Sequence, residues 1–236
     1  DRLMARTASR PLAAGRLSIR SAWLLVGLGF FGGCGCVWLA GNLQAACAAM
    51  LTWVLYVCVY TPLKRVTPLN TAVGAVAGAL PIAIGWLAAD GPQQVLAGDI
   101  SAALAVASLG TVLYLWQFPH FMAIAWLYRK QYDLADLKML TVTDPSGLRA
   151  AGQSLAAALA MIPVSLAMAV PSGSIRMFLT AALASTVYVL VSVNFAFRRD
   201  DRSARILLFT SLGVLLILMM SAVAFSAPKV LSGSYL

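Results

Sequence analysis

Seven apolar runs, each long enough to cross a bilayer, limit what this chain can become more than any other feature. They lie at about 19–40, 45–62, 71–89, 100–127, 149–170, 175–197 and 204–227. A hydrocarbon layer of ~30 Å takes ~20 residues of helix at a rise of ~1.5 Å each. No water reaches that layer, so each segment must pair its own backbone N–H and C=O groups, which a helix does. Barrel strands would be about ten residues long and alternate in polarity, which these runs do not. Hydrophobic residues make up 61% of the chain, against ~45–50% in soluble domains. The expectation is an all-α membrane protein, a multi-span helical bundle in one domain over residues 1–236, with short connections between antiparallel neighbours.

Charge sets the orientation. Arg2, Arg6, Arg10, Arg16 and Arg20 precede the first run, and Lys64 and Arg65 follow the second. Arg129, Lys130, Lys138 and Arg149 follow the fourth, and Arg198, Arg199, Arg202 and Arg205 follow the sixth; only Arg176 and Lys229 fall on the other side. Under the positive-inside rule the N-terminus and these loops are cytoplasmic. The net charge of +9 is then topology and headgroup contact, and needs no nucleic acid. Six of the eight acids (Asp1, Asp133, Asp136, Asp144, Asp200 and Asp201) share that side. The run interiors hold almost no ionisable group, which argues against an ion-coupled transporter. Cys34, Cys36, Cys47 and Cys58 sit inside apolar runs and read as small buried hydrophobes, not as a metal or disulfide framework. The chain opens DRLMARTASRP, without Met or a signal-peptide pattern, and reads as starting inside a cytosolic loop.

Three stretches could carry chemistry. In YTPLKRVTPLN (60–70), Pro62 and Pro68 bracket Lys64-Arg65 at a helix exit, and Asn70 is a candidate cap for the next helix. One reading is a rigid turn with headgroup-binding cations; the other is an anion clamp, Lys as point charge and Arg as bidentate fork. Next, Gly74 and Gly78 permit close helix approach, and Pro81 in mid-span would kink the helix and open space beside it. Third, WQFPHFMAIAWLYRKQYDLADLKMLTVTDPSG (116–147) carries the only histidine, His120, with Gln117 on the same helix face and Pro119 between them. Asp133 and Asp136, three apart, share a face if their loop is helical. Carboxylates that hold Mg²⁺, with Lys and Arg holding a diphosphate above an apolar interior, would suit the release of an allylic carbocation away from water.

At these residues the chain resembles the protohaem IX farnesyltransferase (haem O synthase) family of UbiA-like intramembrane prenyltransferases. The carriers are YTPLKRVTPLNTAVGAVAGALPIAIGW, WQFPHFMAIAWLYRKQY, LKMLTVTDPSG and RSARILLFTSL, and the similarity runs from Asp1 to about Met220. The resemblance implies nine spans around a cavity capped on the cytoplasmic side, so the first two would precede residue 1 and the chain would be N-terminally truncated. Asp1, with Met4, Arg6, Thr7, Arg10, Pro11 and Leu12 behind it, is similar to the end of the family's first metal motif. In the second motif Gln131 stands where many relatives have Asp, and Asp136 stands where Gly is common.

The implied reaction joins farnesyl diphosphate to the 2-vinyl group of haem b, with water added, giving haem O and pyrophosphate. The resemblance assigns Asp1, Asp133 and Asp136 to Mg²⁺. It assigns Lys64, Arg65, Arg6, Arg10, Arg129 and Lys130 to diphosphate or haem propionates, and His120, Gln117 and Tyr60 to the reacting groups. Implied partners are farnesyl diphosphate, haem b, the bilayer of a bacterial cytoplasmic or mitochondrial inner membrane, and other haem-modifying or terminal-oxidase assembly proteins. The alternatives are a related enzyme prenylating a quinone precursor or chlorin and, from another class, a transporter or non-catalytic helical scaffold.

Overall fold

A computed structural model describes residues 2–5 and 7–225, so Asp1, Arg6 and Lys229 lie outside the described residues. Among those described there is no strand. Seven helices are long and apolar enough to cross a membrane: α1 (Ile19–Ala40), α2 (Leu43–Leu63), α3 (Asn70–Ala88), α5 (Ile100–Leu127), α8 (Leu148–Ala169), α9 (Ile175–Arg198) and α10 (Asp201–Ala224). Three short helices lie between them: α4 (Gly91–Leu96), α6 (Arg129–Leu134) and α7 (Leu140–Thr143). The seven spans expected from the apolar runs are all present, and this is an integral membrane protein.

Small polar residues at the ends of the runs start the helices. Ser18, Asn42, Asp99 and Ser174 each accept a hydrogen bond from the backbone N–H three residues on, and Asp200 forms a reciprocal capping box with Ser203. The DPSG turn before α8 works differently. Asp144 accepts from Ser146 N–H and from Arg149 N–H at 2.8 Å. Gly147 adopts a left-handed conformation (φ 72°) against the Trp126 ring, where a side chain would collide.

The dense part of the bundle is α5, α8, α9 and α10. Met161, Tyr188, Phe195, Leu207 and Leu218 are fully enclosed there, beside Ala and Ser positions that let the backbones approach. By contrast α1 buries no residue and rests on α2 through Phe30 and Trp53, whose ring centroids are 4.6 Å apart. The expectation of buried cysteines is corrected: Cys36, Cys47 and Cys58 are exposed on the helix surface and Cys34 is half-buried. They lie on the sparsely packed N-terminal helices, where a bilayer, not protein, would cover them.

The basic loops gather at one end. Lys138 N–H donates to Lys64 O at 2.7 Å, and Arg129 pairs with Asp201 at 2.9 Å. Asn70 does not cap α3, as its position had suggested. It is the helix's first residue, fully buried, and its amide donates to Thr67 O (2.7 Å) and Lys138 O (3.4 Å). It ties the two basic loops together.

Candidate active site

The geometry starts with a change of pitch in α2. Over Leu55–Tyr60 the helix widens to a π-turn. Pro62 has no N–H to offer the carbonyl four residues back, which favours the wider repeat there. The wider turn sets Tyr56 and Tyr60 side by side, ring centroids 5.0 Å apart. On the facing helix Gly74 leaves room for Tyr60: an added Cβ would stand 2.7 Å from its Cε2. Lys64, one turn on, holds its ammonium 4.1 Å above the Tyr60 ring.

These residues open onto a cavity of about 290 Å³ at the basic end of the bundle. Lys64 and Arg10 bring positive charge to its wall, Tyr56, Tyr60, Tyr132 and Phe121 bring aromatic surface, and Met4, Ile124, Leu137 and Met139 complete it with apolar groups. Asn70 and Thr71, at the start of α3, also line it. Both are buried, and Asn70 Oδ1 and Thr71 Oγ1 have no hydrogen-bond partner among the described residues. Buried polar atoms left unpaired are rare, and two adjacent ones beside a cavity are candidates to hold a water or ligand group. The cavity joins the N-terminal segment, the Lys64 loop and the segment after α5 into one rim.

The remaining candidates stand outside this wall. His120 faces α10. Its Nδ1 is 2.8 Å from Ser211 Oγ, and its ring stacks on Trp116 with centroids 4.8 Å apart. Ser211 Oγ donates to Leu208 O at 2.6 Å, so its lone pair is left to accept from His120 Nδ1–H. Trp116 Nε1 also reaches Ser211 O, and Tyr188 O–H donates to Trp116 O, both at 2.7 Å. His120 thus belongs to a polar seam joining α5, α9 and α10. Gln117 is buried against α3. Its amide donates to Ala75 O and Leu113 O, each at 3.0 Å, and fills the space that Gly78 leaves.

Arg129 is engaged by Asp201 and by Trp126, whose carbonyl accepts at 2.6 Å and whose ring lies 4.4 Å below the guanidinium. Lys130, Arg65 and Asp133 are exposed. Asp136 does not continue a helical face with Asp133, because α6 ends at Leu134 and Asp136 takes a left-handed conformation (φ 51°). Its carboxylate pairs with Lys138 at 2.6 Å, and this hydrogen bond, more than the nearby Arg65, holds its pKa below the usual range. Among the described residues no three of His, Cys, Asp and Glu gather as a metal site. The described cavity wall carries neutral oxygens and cations but no carboxylate, so by itself it does not compose a magnesium site.

Seven bilayer-length helices, with a cationic, aromatic pocket at the basic end of α2, α3 and α5, define a membrane-embedded protein suited to an anionic head group on an apolar body. The chain belongs to the UbiA prenyltransferase family, whose model matches residues 1–226, and it is a prenyltransferase. It is 41% identical over 224 residues to a protoheme IX farnesyltransferase of Rhodopirellula baltica, covering 91% of this chain and 75% of the relative. It is 40% identical over 213 residues to one of Solibacter usitatus, covering 89% and 70%. A mitochondrial protoheme IX farnesyltransferase of Homo sapiens is 35% identical over 230 residues, covering 97% of this chain and 49% of the relative. No solved structure matches the chain.

Proposed function

We propose that this chain transfers the farnesyl group of farnesyl diphosphate to the 2-vinyl group of haem b, giving haem O and pyrophosphate. The observation that carries the reading is the cavity wall itself: Lys64 and Arg10 beside Tyr56, Tyr60 and Phe121, over apolar neighbours. The names of the relatives supply the acceptor.

Lys64 and Arg10 hold the diphosphate and take up the charge that grows on it as the C1–O bond breaks. The π faces of Tyr60, Tyr56 and Phe121 favour the allylic cation left behind, and the apolar wall delays its capture by bulk water. The terminal vinyl carbon then bonds to C1, and positive charge moves to the vinyl carbon attached to the porphyrin. Water adds there and a proton leaves. Magnesium, carried on Asp1, Asp133 and Asp136, rests on the family resemblance alone, and no step here runs through it. The basic end is proposed to face the cytoplasm or mitochondrial matrix, in the membrane where haem-dependent oxidases are assembled.

The test offers farnesyl diphosphate and Mg²⁺ to the purified protein with haem b or a hydroxybenzoate, and reads product mass. A farnesylated haem is expected. Prenylated hydroxybenzoate with unchanged haem would overturn the assignment in favour of a quinone-pathway enzyme.

A further inference from the structure

Asn70 and Thr71 are not used by the steps above. Their position is unusual all the same: two adjacent residues at the start of α3, 0% and 3% exposed, both lining the cavity and each carrying a buried oxygen with no partner among the described residues. The Asn70 amide nitrogen is fixed by Thr67 O and Lys138 O, so the side chain cannot flip to satisfy its oxygen elsewhere. The backbone N–H groups of Asn70, Thr71, Ala72 and Val73 are already bonded to Thr67, Pro68 and Leu69 carbonyls, so the helix end does not compete for the same ligand. What is left is one fixed acceptor and one hydroxyl that donates or accepts. A buried water needs two to four polar partners and suits such a pair. A bare phosphate oxygen, with no proton to give, would repel Asn70 Oδ1.

We infer that Asn70 Oδ1 and Thr71 Oγ1 position the water that the proposed reaction consumes, an inference that rests on the haem-farnesylating reading above. The water gives one hydrogen to Asn70 Oδ1, is held by Thr71 Oγ1, and keeps a lone pair toward the cavity. Once farnesyl C1 has bonded to the terminal vinyl carbon, this lone pair forms the C–O bond at the carbon beside the porphyrin. The surplus proton of the resulting oxonium passes to the departing pyrophosphate, because a neutral amide and a hydroxyl are too weakly basic to keep it. Without a placed water, the same cation discharges by losing a proton from the neighbouring carbon, giving an alkene one water lighter.

Thr71→Val tests this without removing any bond among the described residues, since the hydroxyl has none. The purified protein is given farnesyl diphosphate, Mg²⁺ and haem b, and hydroxylated and dehydrated products are separated by mass. The ratio of hydroxylated to dehydrated product is expected to fall about five-fold, the loss of roughly one hydrogen bond. Thr71→Ser should restore it. Water acts after the C1–O bond has broken, so Thr71→Val must still farnesylate haem. A variant that does so at the wild-type ratio, or that forms no product, overturns the inference. Failure of the wild-type protein to farnesylate haem would strike the underlying reading instead.

Discussion

The two halves of the bundle are built on different terms. In α8, α9 and α10, with the α5 segment against them, large side chains are enclosed and serines such as Ser154, Ser185 and Ser192 return their hydroxyls to their own helix carbonyls. Nothing polar is wasted there apart from the Trp126 indole N–H. Around α2 and α3 the helices are thinly covered, one of them changes pitch, and Asn70 and Thr71, which line a cavity, keep buried oxygens without a partner among the described residues. Hydrophobic burial gives little between helices in lipid, so packing density carries stability. The dense half holds the fold, and the open half is left free to hold a ligand.

The strongest challenge to this contrast is to remove a packed side chain. Leu207→Ala should destabilise the protein by about 2–5 kcal/mol through the cavity it leaves, read as unfolding in detergent micelles. Trp23→Ala, on the exposed face of α1, should change stability by less than about 0.5 kcal/mol. Equal effects would abolish the distinction. Next in size, Lys64→Ala should raise the KM for farnesyl diphosphate by about ten-fold or more, the loss of a charge-assisted bond of roughly 1.5–3 kcal/mol, while lowering stability only by the ~0.5–2 kcal/mol of its contact with the Tyr60 ring. An unchanged KM would place the diphosphate elsewhere.

Gln117→Ala sharpens the boundary between the halves. Losing its bonds to Ala75 and Leu113 should cost about 1–2 kcal/mol of stability, while the protein that remains folded keeps its turnover. A collapse of turnover at intact stability would return Gln117 to the chemistry. Asp136→Asn should do least. Its depressed pKa contributes stability only above its unfolded value, and that contribution is lost as pH falls through the folded one. Between about pH 6 and pH 8 the two stability curves should therefore run parallel, the wild type above by a small constant amount, and they should converge as pH falls through the folded pKa. An offset that changes within that window would mean the pair with Lys138 titrates otherwise than its geometry implies.

The number of spans, their ends and their alternation were legible because each depends on one segment at a time. Apolar length meets bilayer thickness, Asn42, Asp99 and Asp200 sit where a run begins, and the arginines lie in alternate loops. The direction in which a side chain points was not legible. Gln117 and His120 lie on one stretch of α5, yet the first locks to α3 beside Gly78 and the second to Ser211 of α10. Asn70 had the composition of a cap, and only the neighbouring loop, through Lys138, turned it inward.

By itself, then, the sequence determined that this chain is a membrane-spanning helical bundle with its basic loops at one end, because hydropathy, capping and charge act locally. Only the tertiary structure decided which polar groups share a cavity. A residue's face becomes functional or structural according to which helix packs against it. Here that choice set Lys64, Arg10, Tyr60, Asn70 and Thr71 around one space and drew His120 and Gln117 into the seams that support it.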